Sequence, residues 1–439
     1  MGRIEEAVSH LRSARHRYEV LDDKPSVAST LLDEVAALKV QDPEAQIELI
    51  RDALKVLKGT RHHDMKLEAY DRLVRALFEA LRLREALEVF SEERRLLRRL
   101  QRIRGLARRL AQVGRVLADL RVHGRAMRAF RQAADLYEQL QDQTAWIQCR
   151  NDLANRLMEV DRKREAEEIH HANLTHARRL QNRGLQVPAL LNLGEISRME
   201  DRTNEAITRM REANKLSRDL HDLRGLALGL NNLGLALERA GELEQAKHAF
   251  RQSLEIATRA HDESAMARAW SSLGTAAFNQ RAYEEAQEAY QRAVSLATQS
   301  DDKGLRAEML LNSASACELH GPSAAEQLIE QSINVAQDVL HYDTAYDAST
   351  LMTRWFVLSG DMEKAGEWAA YALVIGPLLS DQLDLWASWI IVIMSSKYRE
   401  EDRWGFVQSI AATARHLEHE NNFDGELMRG VEVVKSRLL

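Results

Sequence analysis

The chain has 439 residues, 29% of them charged and 5% aromatic, with only five prolines, and a formal charge of −6. Such a composition favours helix over strand, and no run of alternating β-branched residues opposes it, so an all-α fold without a sheet is expected. The modest negative charge argues for a soluble protein with no global pull toward nucleic acid.

From the N-terminus, "GRIEEAVSHLRSARHRYEVL" lacks the apolar core of a signal peptide and reads as an amphipathic helix. The turn "LDDKP" (21–25) follows, and similar turns return as "LQDQT" (140–144), "LHDLRG" (220–225), "AHDES" (260–264) and "SDDKG" (300–304). Aspartate and glycine at these places supply the backbone freedom of a helix stop. Between turns, apolar residues recur at helical spacing, as in Leu226, Leu230, Leu233 and Leu237. A small residue returns at Ala7, Ala45, Ala86, Ala126, Ala166, Ala206, Ala246, Ala286, Ala325, Ala365 and Gly405, mostly at intervals of forty. A second small position stands twelve residues earlier, at Gly114, Ala154, Gly194, Gly234, Gly274 and Ala314. A bulky apolar residue follows four after the first, at Phe90, Phe130, Met210, Phe250 and Tyr290. Each unit therefore reads as two antiparallel helices, the first of about fifteen residues and the second of nearly twenty. Gly234 and Ala246 are expected to mark the place where the pair approaches closely.

This pattern resembles the tetratricopeptide repeat family. Trp270, Leu273, Gly274, Ala286, Tyr290 and Ala293 carry it, and again Leu230, Leu233, Gly234, Ala246, Phe250 and Ser253. The usual repeat has about 34 residues and ends in proline; this one has about forty and no such proline. It is similar in that respect to spindle-orientation adaptors, kinesin light chains and the sensor domains of maltose-regulator-type bacterial activators and related signalling ATPases. The resemblance implies a right-handed superhelical solenoid, here of about ten to eleven helix pairs, with a concave groove. Residues 1–320 are expected to form the regular superhelix, and 321–439 to hold divergent repeats ending in "DGELMRGVEVVKSRLL" as a capping helix. The chain opens on a second-type helix, which suggests a fragment whose effector domain lies upstream.

No nucleotide loop, nucleophile elbow or H-E-x-x-H motif is present, and His170, His171 and His176 lack a completing ligand, so neither enzyme activity nor a cofactor or metal is expected. Three features stand out instead. From Arg94 to Arg131 there are thirteen arginines and one acid, Asp119, a local charge of +12. Arg94, Arg95, Arg98, Arg99, Arg102, Arg108 and Arg109 make up its core, a patch suited to an acidic partner, with nucleic acid disfavoured by the lack of interleaved aromatics. Glu85, Glu88, Glu92 and Glu93 could neutralise it. Next, Asp152, Asn192, Asn232, Ser272 and Asn312 form a polar column, one per repeat, and Glu195 and Asn231 sit beside it. On the side that lines the groove in the resembling family, such residues can pair with the backbone of a bound peptide. Last, Trp355, Trp368, Trp386 and Trp389 gather around "YALVIGPLL" as a possible aromatic interface.

The longest apolar run, "LWASWIIVIM", is about half of what a membrane span needs. Cys149 and Cys317 show neither disulfide nor metal spacing, which points to the cytoplasm. The expected function is recognition of a partner peptide or protein segment in the groove. Alternatives are a ligand-sensing domain of a larger signalling ATPase or transcription activator and, third, nucleic-acid binding through the arginine-rich repeats.

Overall fold

The computed structural model describes residues 2–38, 43–80, 82–120, 122–300, 302–316, 322–338 and 342–359, with Lys364, Trp368 and Ala372. These residues hold eighteen helices and no strand. In order they are α1 (Gly2–Val20), α2 (Lys24–Ala37), α3 (Pro43–Leu57), α4 (His63–Glu79), α5 (Leu83–Arg99) and α6 (Ile103–Asp119). Then come α7 (His123–Gln139), α8 (Gln143–Glu159), α9 (Lys163–Arg179), α10 (Arg183–Met199), α11 (Thr203–Asp219) and α12 (Leu223–Arg239). The series ends with α13 (Leu243–Ala260), α14 (Glu263–Asn279), α15 (Tyr283–Gln299), α16 (Lys303–Ala316), α17 (Pro322–Asp338) and α18 (Tyr342–Ser359). They group into two compact units, one of Met1–Val116 and Arg128–Trp146, the other of Leu117–Met127 and Ile147 onward.

The forty-residue period comes from two equal halves. From α4 to α15 every helix has seventeen residues except α13, which has eighteen. The short-then-long pair expected from the sequence is thus corrected. Each half closes with a left-handed residue, and these fall every twenty positions at Gln141, Asp161, Gln181, Asp201, His221, Gly241, His261 and Arg281. Only Gly241 in that series is free of the penalty an L side chain meets there.

Asp22 takes the helix-stop role expected of the turn aspartates, with a φ of 51°, but most of them instead start the next helix. Asp142, Asn182, Asp222, Asp262 and Asp302 each accept a backbone N–H three residues on, at 3.2, 3.2, 3.0, 3.0 and 2.9 Å. The first helices α8, α10, α12, α14 and α16 are thereby capped by side chains. The second helices α5, α9 and α11 open instead on Arg82, Arg162 and Arg202, which lack a capping bond. Their guanidinium groups pair with Glu85, Glu165 and Glu205 in the first turn, at 2.7, 2.6 and 2.8 Å.

Packing within a repeat centres on one large side chain against one bare backbone. A methyl group placed on Gly234 would lie 2.3 Å from the Phe250 ring, and on Gly114 it would lie 2.8 Å from Phe130. At Gly194 the obstacle is Met210 at 3.0 Å, and at Gly274 it is Tyr290 at 3.1 Å. Gly234 is therefore small because of Phe250, whereas Ala246 is a buried member of the same apolar cluster. That cluster draws only on consecutive helices α11 to α14, as nearest-neighbour stacking requires. Ion pairs follow the same rule: Arg178 meets Glu212 at 2.8 Å, and Arg224 meets Asp262 at 3.3 Å.

In one repeat the large position is a histidine. His170 is fully buried and neither ring nitrogen has a hydrogen-bond partner among the described residues. Burial, with a smaller contribution from the charge of His171, holds its imidazolium down to a pKa of about 4, from 6.5. A base with a depressed folded pKa stabilises the fold fully above pH 6.5 and loses that contribution as pH falls toward 4. The loss amounts to about 3 kcal/mol at most. Met210 occupies this register one repeat on, so His170→Met is expected to flatten the fall in thermal stability between pH 6.5 and 4. Melting curves across that range check it; an unchanged pH slope would exclude His170 as its source.

Candidate recognition surface

The polar column lies on the first helices of the second unit, with Asp152 on α8, Asn192 on α10, Asn232 on α12, Ser272 on α14 and Asn312 on α16. The capped seventeen-residue helices repeat without slippage through Asn232 and Ser272, so these positions share one register. Two members bridge neighbouring repeats. Asn192 Nδ2 donates to Asn155 Oδ1 at 2.8 Å, and Asn312 Nδ2 donates to Ser271 Oγ at 3.1 Å. Their donors are thus engaged, while their carbonyl oxygens make no hydrogen bond among the described residues. Ser272 is corrected: it is 8% exposed, inside the packing of α14, and not open to a partner, while Asp152 is half-buried. Asn232, also half-buried, makes no side-chain hydrogen bond among the described residues and keeps both donor and acceptor open.

The neighbours of the column differ from expectation. Glu195 is half-buried and gripped by Arg198 at 2.5 and 2.9 Å, which raises the arginine's pKa and neutralises the pair. Asn231 is corrected: it is 7% exposed, inside the packing of α12, and its Oδ1 has no hydrogen-bond partner among the described residues. One residue along a helix turns the side chain by about 100°, enough to carry it from the open face into the core.

The arginine-rich stretch divides in two. Arg95, Arg98, Arg99, Arg102 and Arg108 are exposed and Arg94 is half-buried. Arg102 is nevertheless ion-paired with Asp64. Arg109 is corrected outright, since its side chain is 8% exposed and it belongs to the core of the first unit. There it holds Glu93 in a two-pronged pair at 2.7 and 3.1 Å, reaches Asp71, and donates to Gln112 at 2.9 Å. Burial raises the Glu93 pKa even so, against the opposing pull of Arg109. Glu93 thus neutralises an arginine of the stretch, as the sequence allowed, but inside the core, where other repeats carry Ala133, Ala213 and Ala293; Asp71 as a second anchor had no signal in the sequence.

Trp355 is corrected as well. It is 5% exposed within a cluster that includes Met352 and Phe356, with partly buried Trp368 packed against it. These rings fill a core. Trp386 and Trp389 lie outside the described residues. Among the described residues no group of three or more His, Cys, Asp or Glu could hold a metal ion, and no helix is long and apolar enough to cross a membrane.

Two family models, both described as tetratricopeptide repeat, match residues 185–259 and 267–300. No curated protein matches the chain. Among solved structures, a Rap protein complexed with Competence and Sporulation Factor superposes with a TM-score of 0.54 at 14% identity, covering 86% of this chain and 99% of that one. The Rap conjugation gene regulator of plasmid pLS20, in complex with the Phr* peptide, gives 0.46 at 14% identity, over 90% of this chain and 98% of its own. A signal transduction ATPase with a tetratricopeptide repeat sensor, from Pyrococcus horikoshii, gives 0.44 at 13% identity, over 79% and 52%. At such identities the first of these likenesses speaks for the fold alone.

Proposed function

We propose that this tetratricopeptide-repeat chain is a protein-interaction or sensor module, and that its recognition face is the polar column on the first helices of the second unit. The observation that carries the reading is Asn232, with both halves of its amide open, set between Asn192 and Asn312, whose carbonyl oxygens are unoccupied. An extended segment presents alternating N–H and C=O groups, and a row of asparagines can pair with either whatever the side chains are. The column therefore supplies register and general affinity; sequence preference comes from side chains around it. Binding of this kind asks for no nucleophile and no cofactor, in keeping with a scaffold that is not an enzyme.

The test begins with decapeptides selected on the full chain from a random displayed library, whose affinities are then measured by fluorescence polarisation. Each lost hydrogen bond is worth about 0.5–1.5 kcal/mol. The triple variant Asn192→Ala, Asn232→Ala, Asn312→Ala is expected to bind roughly tenfold or more weakly, with unchanged helical circular dichroism. Asn232→Ala alone accounts for the largest single share. Undiminished binding by the triple variant would remove this face as the peptide site.

A further inference from the structure

We propose that the exposed face of α5 in the first unit is a docking surface for an acidic protein segment, held extended with carboxylates at alternate positions. It stands apart from the asparagine column and does not depend on it. Four arginines, Arg94, Arg95, Arg98 and Arg99, fall within six residues of one helix. Arg95, Arg98 and Arg99 are exposed, and Arg94 is half-buried with its guanidinium carbon 5.9 Å from the Phe90 ring centre.

Most of the carboxylates around them are committed elsewhere. Glu85 is held by Arg51 at 2.6 Å and by Arg82 at 2.7 Å. Glu93 belongs to Arg109, and Asp71 is shared between Arg109 and Arg75. Asp64 goes to Arg102 and Glu92 accepts the Tyr70 hydroxyl at 3.1 Å. Glu88, exposed on the same helix, forms no ion pair among the described residues. Among the described residues none makes an ion pair with any of the four arginines. Arg94 and Arg98 instead repel one another, and that repulsion adds to burial in lowering the Arg94 pKa. Like charges one turn apart destabilise a helix. Their persistence without an internal partner is explained by an external one.

Geometry selects the partner's form. Residues four apart on a helix are separated by about 6 Å along its axis, and side chains on one face of an extended strand by about 6.7 Å. An extended segment laid along α5 with acids at alternate positions matches both Arg94 with Arg98 and Arg95 with Arg99. Guanidinium forks grip carboxylates in two-pronged fashion, which lysine cannot do. Phe90, the ring beside Arg94, is buried and offers no platform on which a base could stack, which disfavours single-stranded nucleic acid.

The experiment titrates the full chain with fluorescein-labelled (Glu-Ser)5, read by polarisation at low and moderate salt. The variant Arg94→Gln, Arg95→Gln, Arg98→Gln, Arg99→Gln is expected to bind at least tenfold more weakly without a lower melting temperature, because like-charge repulsion is relieved. A second variant that keeps Arg94 guards against loss of its packing and is expected to show most of the same loss. The charge-matched control Arg211→Gln, Arg218→Gln, Arg251→Gln, Arg259→Gln, four exposed arginines of the second unit, is expected to change affinity less than twofold. The triple asparagine variant is expected to bind this peptide normally, so failure here and failure of the column are separable. Three results would overturn the proposal: no measurable binding by the unaltered chain, equal losses in both quadruple variants, or tighter binding of a hexathymidylate of comparable charge.

Discussion

Arg109→Met is expected to lower the stability of the first unit by about 3–5 kcal/mol, the usual cost of leaving a buried carboxylate without its cation. Glu93 is 1% exposed, so water cannot replace the lost guanidinium, and its pKa is already raised by burial with the arginine present. The chain holds its own control for the rescue. At the registers of Glu93 and Arg109, later repeats place Ala293 and Met309, and those two are buried together in one apolar cluster. Adding Glu93→Ala to Arg109→Met is therefore expected to recover most of the loss, since replacing a buried ion pair with apolar side chains is often neutral or better. Denaturant midpoints of the single and double variants decide the matter. A double variant as unstable as the sum of the two singles would mean that the two side chains are not coupled, so that the loss in Arg109→Met does not come from the stranded Glu93 carboxylate.

Much of the fold was legible because stacked repeats write the same physical demand many times. Gly114, Gly194, Gly234 and Gly274 recur at forty because Phe130, Met210, Phe250 and Tyr290 recur at forty, and the period alone announces paired helices. The direction of each contact was less legible. Spacing puts Gly234 near both Ala246 and Phe250, and only coordinates show the ring as its immediate neighbour. The turn aspartates had the right residue type and, Asp22 apart, the wrong assignment, because helix ends and helix starts share two or three residues here. At the site, the column itself followed from register, but Asn231 next to Asn232, and Arg109 next to Arg108, are separated from it or from the surface by a single residue's rotation. A signal for Arg109 was available: its equivalents Cys149, Ala189, Ala269 and Met309 are buried and uncharged, which marks a core register. What no spacing reveals is Asn192 donating to Asn155, since pairing across repeats depends on how neighbouring first helices lie side by side.

Gly234→Ala is the other large expected effect, with a sign set by competition. Replacing glycine by alanine inside a helix ordinarily stabilises by about 0.5–1 kcal/mol. Here the new methyl would lie 2.3, 2.5 and 2.9 Å from three atoms of the fully buried Phe250 ring, which has nowhere to retreat. Overpacking of that kind costs about 1–3 kcal/mol and wins. Phe250→Leu alone is also destabilising, because it leaves the slot part-empty. Its combination with Gly234→Ala fills the space from the other side, so the alanine becomes neutral or stabilising in that background.

The claim on which period, stack and recognition face all depend is that each repeat is clamped by one large side chain seated against one bare stretch of backbone. The double-mutant cycle on Gly234 and Phe250, measured by denaturant unfolding, tests it most directly. A coupling of about 1–3 kcal/mol, with the cost of Gly234→Ala abolished by Phe250→Leu, is the predicted result. Simple additivity, or a Gly234→Ala chain more stable than the original, would contradict it.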